Sequence, residues 1–186
     1  MSKKIYLASK SPRRQELLKQ MGFEYELLIK EVDESYPADL PLNDVAEYIA
    51  KKKADAFETK SDGVIITSDT VVLLGTEILG KPNNDQHAFE MLRKLNGKTH
   101  QVITGVTLKS AHKSFSFSEV TAVTFSQLSD EQLWYYILEF KPFDKAGSYG
   151  IQDWIGAVGV QSINGSYTNV MGLPTERLFK ELANFD

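Results

Sequence analysis

The sequence predicts an α/β protein built on a mixed sheet, and three observations carry that reading. Helix-period and strand-like segments alternate along most of the chain. The run GVIITSDTVVLLG, residues 63–75, is almost continuously apolar and β-branched, the pattern of a strand buried on both faces. Two later strand-like runs, HQVITGVTLKS and SFSFSEVTAVTFSQL, are separated only by AHK, so some strands are joined by hairpins rather than crossovers.

Taken in order, KIYLAS reads as a first strand. A helix follows over Pro12–Met21. Ser11 is its N-cap, Pro12 suits the first helical position, Leu17, Leu18 and Met21 form the apolar stripe, and Gly22 is the stop. The first turn of this helix carries Arg13 and Arg14, two cations where the backbone is already partly positive. In water they cost a few tenths of a kcal/mol each, about the size of a surface dipole interaction, and a docked anion removes that cost. YELLIK is a second strand, and EVDESYPADLPLND a polar loop. Asn43 then caps a helix running to about Thr59, with Ala46, Ile49, Ala50, Ala54 and Phe57 on its core face. After the long apolar strand, TEILGKPN turns away. A helix over Asp85–Leu95 ends at NGK. SDEQLWYYILEF is a helix with a Ser129–Gln132 capping box. DKAGSYGIQD is irregular, AVGVQSINGSYTNV reads as a hairpin turning at Asn164-Gly165, and LPTERLFKELANF is a closing helix with Pro174 near its start. No repeat, low-complexity segment or linker interrupts the pattern, so 1–186 reads as a single domain.

Composition narrows the function. A chain of 186 residues buries roughly 70% of its unfolded surface and needs no covalent staple. The absence of cysteine excludes disulfides, thiolate metal sites and cysteine nucleophiles. His87, His100 and His112 lack metal-ligand spacing. A net charge of −4 argues against general nucleic-acid binding. Met1–Leu7 is too short and polar for a signal peptide, and no apolar run approaches a membrane span of roughly 18 residues. The expectation is a cytoplasmic protein. No P-loop, dinucleotide fingerprint or nucleophile elbow is present.

Several residues stand out. Asp69 lies inside the most apolar strand, where a lone carboxylate is expensive unless it is paired, protonated or bound to metal. It caps a turn if the strand breaks there; otherwise it is a general base or a metal ligand. Lys53 falls on the core face of its helix, four residues after Ile49 and four before Phe57. It either snorkels along apolar surface or aims an ammonium at an anion. Lys81 is held extended between a glycine and a proline, just after the strand that carries Asp69. Asp144 and Lys145 read as a surface ion pair. Glu31, Asp33 and Glu34 form an acidic loop, which is either solvated or rich in the oxygens that Mg²⁺ and Mn²⁺ use. Glu119 has no evident role. Arg13, Arg14, Lys53, Lys81 and Lys145, if they converge, make a polyphosphate pocket in an acidic protein.

LASKSPRRQELL, SDTVV followed by LGKP, DKAGSYGIQ and VMGLP, in that order from Leu7 to Pro174, resemble the Maf proteins. The resemblance implies an inosine-triphosphatase-like α/β fold, with a long mixed sheet, two lobes and a central cleft. It implies hydrolysis of nucleoside triphosphates to monophosphate and pyrophosphate, a divalent cation (Mg²⁺ or Mn²⁺), homodimers, and a link to inhibition of septum formation. Carried onto this sequence, it makes Asp69 the acceptor of the attacking water's proton. Arg13, Thr70 and Gln152 become specificity positions, and Ser9, Arg14, Lys53, Lys81 and Lys145 phosphate positions. Glu34 and Asp69 are the expected metal ligands. SPRR, SDT and GIQ resemble the branch acting on dTTP and UTP rather than the branch that prefers 7-methyl-GTP. One departure is IQDWIGA, where Asp153 and Trp154 replace the family's usual glycine after the glutamine; another is TSD in place of GAD. The rival readings are a pyrophosphatase for non-standard purine triphosphates, such as ITP, and a cell-division regulator acting by binding.

Overall fold

The computed structural model describes residues 4–185. The single-domain expectation over 1–186 therefore extends a few residues beyond the described chain. The elements are β1 (Lys4–Leu7), α1 (Pro12–Gln20), β2 (Tyr25–Leu27), α2 (Val45–Asp55), β3 (Gly63–Leu74), β4 (Glu77–Leu79), α3 (Asp85–Leu95), β5 (Thr99–Lys109), β6 (Ser114–Phe125), α4 (Asp130–Phe140), α5 (Trp154–Gly159), β7 (Val160–Asn164), α6 (Tyr167–Met171) and α7 (Thr175–Ala183). Seven strands form one sheet in the order β2-β1-β3-β5-β6-β7, with β4 paired to β3 off that path. β1 runs parallel to both β2 and β3, whereas β4 on β3 and β7 on β6 are antiparallel. The mixed sheet expected from sequence is therefore present.

The chain divides into two compact units. The first comprises 1–70, 104–119 and 172–186; the second comprises 71–103 and 120–171. Three of the boundaries fall inside β3, β5 and β6. In the first unit α2 buries Val45, Ala46, Ile49, Ala50 and Ala54. Gly105 of β5 makes that packing possible, because a Cβ there would lie 2.3 Å from the Glu47 backbone nitrogen. Carbonyls at and just beyond the end of α2 are satisfied by lysines, as suits the negative end of a helix: Lys109 Nζ donates to Ala54 and Phe57, and Lys30 Nζ to Ala56. The second unit packs α3, α4 and α5 around Phe89, Leu92, Phe125, Leu133, Tyr136 and Ile155.

Three sequence expectations change. Asn43 does not cap α2: a short 3-10 turn over Leu42–Asp44 feeds the helix, which ends at Asp55 rather than near Thr59. TEILGKPN contains β4, which folds back on β3 with Leu73 opposite Ile78. The expected hairpin at Asn164-Gly165 is not formed: the strand leading into it, β7, pairs with β6 instead, the residues before β7 are α5, and the chain after Gly165 enters α6. WIGAVG has poor intrinsic helix propensity, yet Ile155 and Gly159 are buried, and a Cβ on Gly156 would sit 1.8 Å from the Ile151 carbonyl oxygen. Packing, not propensity, makes that turn helical.

Candidate active site

The first unit gathers charge around Asp69. Successive strand residues point to opposite faces, and β3 uses this to separate its polar side chains. Thr67 and Asp69 face α2, where the Thr67 hydroxyl donates to the Ala50 carbonyl at 2.6 Å. One turn further along α2, Lys53 Nζ lies 2.7 Å from Asp69 Oδ1 and 2.8 Å from Glu34 Oε1. Both Lys53 and Asp69 are mostly buried, with 16% and 14% of their side chains exposed. Asp69 is thus inside an unbroken strand and is paired. Lys53 is not a snorkelling surface lysine but the ammonium on which two carboxylates converge. The acidic loop is held down by the adjacent lysine as well: Lys52 Nζ donates to Asp33 Oδ2 at 2.8 Å and to the Ser35 carbonyl at 3.0 Å. Glu31 is solvated, 3.8 Å from Lys10.

Ser68 and Thr70 face the other way. The Arg14 guanidinium donates to the Gly172 carbonyl at 2.7 Å, the Ser68 carbonyl at 3.0 Å and the Thr70 hydroxyl at 3.0 Å. Thr70 Oγ1 also lies 2.9 Å from Thr104 Oγ1 on β5. The Thr70 hydroxyl thus faces away from the α2 side on which Asp69 meets Lys53, although the two are adjacent in sequence. Arg14 answers the anomaly of the α1 first turn: three of its five N–H donors serve neutral oxygens inside the unit. Burial works against its charge, and Asp69, the nearest carboxylate influence, works for it. Ser11 accepts from the Arg14 backbone N–H as the expected N-cap, and Ser9 Oγ accepts from the Ser11 N–H. Arg13 is half-buried.

The second unit holds the remaining candidates. The Gly147 N–H donates to the Gly80 carbonyl at 3.0 Å, which ties the segment carrying Lys81 to the one carrying Lys145. Lys81 is exposed. Lys145 Nζ lies 2.8 Å from Asp144 and 3.9 Å from Asp153 Oδ2, and only 12% of its side chain is exposed. Gln152 is exposed, with its amide nitrogen 3.2 Å from Asp153 Oδ1. Asp153 Oδ2 accepts from the Tyr136 hydroxyl at 2.7 Å, and that hydroxyl in turn accepts from the Gly150 N–H. Burial, followed by the bond to Asp153, pushes the Tyr136 hydroxyl well above the usual phenol range. Sequence reasoning named Asp153 only as a departure and missed Tyr136, which reads as one more apolar residue of α4.

Two carboxylates converging on one buried ammonium in an α/β protein make an arrangement suited to acid–base chemistry beside an anion. The chain belongs to the Maf family, since the model for Maf-like protein matches residues 4–185. It is 54% identical over 182 residues to the dTTP/UTP pyrophosphatase of Phocaeicola vulgatus, covering 96% of this chain and 94% of that protein. It is 49% identical to the dTTP/UTP pyrophosphatase of Flavobacterium psychrophilum over 97% and 94% of the two chains. The solved Staphylococcus aureus Ham1 protein shows a partial likeness, with a TM-score of 0.46 and 15% identity over 66% of this chain and 72% of that one. Among the described residues, no helix is long and apolar enough to cross a membrane, and no three His, Asp or Glu side chains form a metal-holding group.

Proposed function

We propose that this protein is a nucleoside triphosphate pyrophosphatase acting on dTTP and UTP. It cleaves the bond between the α-phosphorus and the bridging oxygen to the β-phosphate, and releases the nucleoside monophosphate and pyrophosphate. One observation carries the reading: Asp69 and Glu34 meet on the Lys53 ammonium within a Maf-family chain that shares 54% identity with a dTTP/UTP pyrophosphatase.

In this reading Asp69 accepts the proton of the water that attacks the α-phosphorus. Lys53, Lys81 and Lys145 supply positive potential for the charge that grows on the departing pyrophosphate, and Ser9 and Arg14 contact the phosphates from the start of α1. Arg13, Thr70 and Gln152 select the base. The residues suit a hard divalent cation. Glu34 and Asp69 present two carboxylate oxygens to a single positive group, and Mg²⁺ takes one or two carboxylates and completes its shell with phosphate oxygens and water. Glu34 and Asp69 would hold Mg²⁺ or Mn²⁺, and the ion would supply charge neutralisation at the phosphates. The whole chain acts as one Maf-like domain in the cytoplasm, as a homodimer, and its link to septum formation runs through the nucleotide pool.

The test is phosphate release in the presence of added inorganic pyrophosphatase, over a panel of nucleoside triphosphates with Mg²⁺, Mn²⁺ or EDTA. The expected result is metal-dependent release, strongest with UTP and dTTP and abolished by EDTA. Release strongest with ITP moves the protein to the purine class, and no release from any nucleotide leaves a binding role.

A further inference from the structure

We infer that Asp153 is a positioning residue that locks the Gln152 amide in one of its two orientations, and that this lock sets the enzyme against cytosine nucleotides. The inference rests on the reading of Gln152 as the contact to the pyrimidine edge. Asp153 stands at the N-cap position of α5, where an aspartate ordinarily accepts from the first helical N–H groups. Here its side chain makes no such bond. It turns instead to Gln152, with Oδ1 3.2 Å from the amide nitrogen. Oδ2 is occupied by the Tyr136 hydroxyl at 2.7 Å, and Lys145 stands 3.9 Å away. The carboxylate is 16% exposed and cannot swing without leaving the Tyr136 hydroxyl unpaired.

A carboxylate only accepts hydrogen bonds. The Gln152 amide must therefore show it an N–H, which fixes where the amide oxygen and the second N–H point. That matters because the two pyrimidine edges are mirror patterns. Uracil and thymine offer a ring N–H beside a carbonyl oxygen. Cytosine offers an exocyclic N–H beside an unprotonated ring nitrogen. An amide reads one edge with a given placement of oxygen and nitrogen, and the other only after those atoms exchange places. A free glutamine makes that exchange at little cost. In Gln152 it would set the amide oxygen against Asp153 Oδ1, acceptor against acceptor. The restraint thus becomes selection for uracil and thymine.

The experiment measures kcat/KM for UTP and CTP, with the thermal midpoint, in the wild type, Asp153→Asn and Gln152→Ala. In Asp153→Asn the Tyr136 hydroxyl holds the new amide's oxygen, so an N–H faces Gln152 and favours the exchanged orientation. The UTP-to-CTP ratio is expected to fall about tenfold or more, the discrimination carried by one correctly paired amide. A purely structural Asp153 would lower both substrates alike and leave the ratio unchanged. An unchanged ratio in Asp153→Asn, with a collapsed ratio in Gln152→Ala, overturns the lock and keeps Gln152 as the base contact. An unchanged ratio in both variants, or a wild type with no preference, removes Gln152 from base reading and the lock with it. If Asp153→Asn does not fold, Tyr136→Phe releases Oδ2 instead. A smaller fall in the same direction then supports the lock, and an unchanged ratio overturns it.

Discussion

Asp69 and Asp153 are buried alike, with 14% and 16% of their side chains exposed, but they are held by different kinds of partner. Among the described residues, the close polar contact of the Asp69 side chain is a single ammonium, which it shares with Glu34. Asp153 is tied by a buried hydroxyl and an amide, and the nearest lysine stands off at 3.9 Å. A flexible lysine can be exchanged for another cation, or its bond broken, without opening the core. A buried tyrosine cannot. The first arrangement leaves a carboxylate available for chemistry, and the second immobilises one. Equal burial therefore says little about role; the mobility of the partner says more.

The sharpest way to break this comparison is to remove the charge from each aspartate. Asp69→Asn is expected to lower kcat by at least about 100-fold, the scale of general-base catalysis, with little change in thermal midpoint. Normal pyrophosphate release by that variant would take Asp69 out of the chemistry. Asp153→Ala is expected to act on stability instead. It leaves the buried Tyr136 hydroxyl without its acceptor and costs about 1–3 kcal/mol, readable in urea unfolding. A midpoint equal to wild type would show that the hydroxyl finds another acceptor.

A third measurement tests whether the second unit responds to pH through its packing. His100 is buried, with Nε2 2.7 Å from the Tyr149 hydroxyl and Nδ1 without a partner among the described residues. Burial pushes its pKa down to about 4. The native protein thus resists a proton that the unfolded chain accepts near the ordinary value of 6.5. Its contribution is flat above that value, falls as the pH drops from there towards about 4, and levels off below. The slope in that window is at most about 1.4 kcal/mol per pH unit. Urea midpoints at neutral and mildly acid pH should diverge in the wild type and converge in His100→Gln.

Much of this was legible in the sequence where a residue broke a local pattern. Asp69 in an apolar strand and Lys53 on an apolar helix face both announced themselves, and the structure pairs them. The limits of α3 were readable because Asn84 caps it and its apolar stripe is regular. The misses have different physical causes. WIGAVG is helical through tertiary packing, so its propensity misled. Thr70 is next to Asp69 in sequence and on the opposite face of β3, a consequence of strand alternation that the motif SDT conceals. Glu119, without a reading from sequence, pairs with Arg177 of α7, a contact spanning 58 positions. Tyr136 of α4 meets Asp153, just ahead of α5, across 17 positions of the chain.

The interleaving of the two units has a consequence for how such a protein can be cut or recombined. The chain passes from one unit to the other inside β3, β5 and β6, so neither unit is a continuous stretch of sequence. No single continuous gene fragment encodes either unit, and no single crossover between relatives exchanges one unit whole while keeping the other. A lineage can vary this protein residue by residue, but it cannot trade one unit for another in a single exchange.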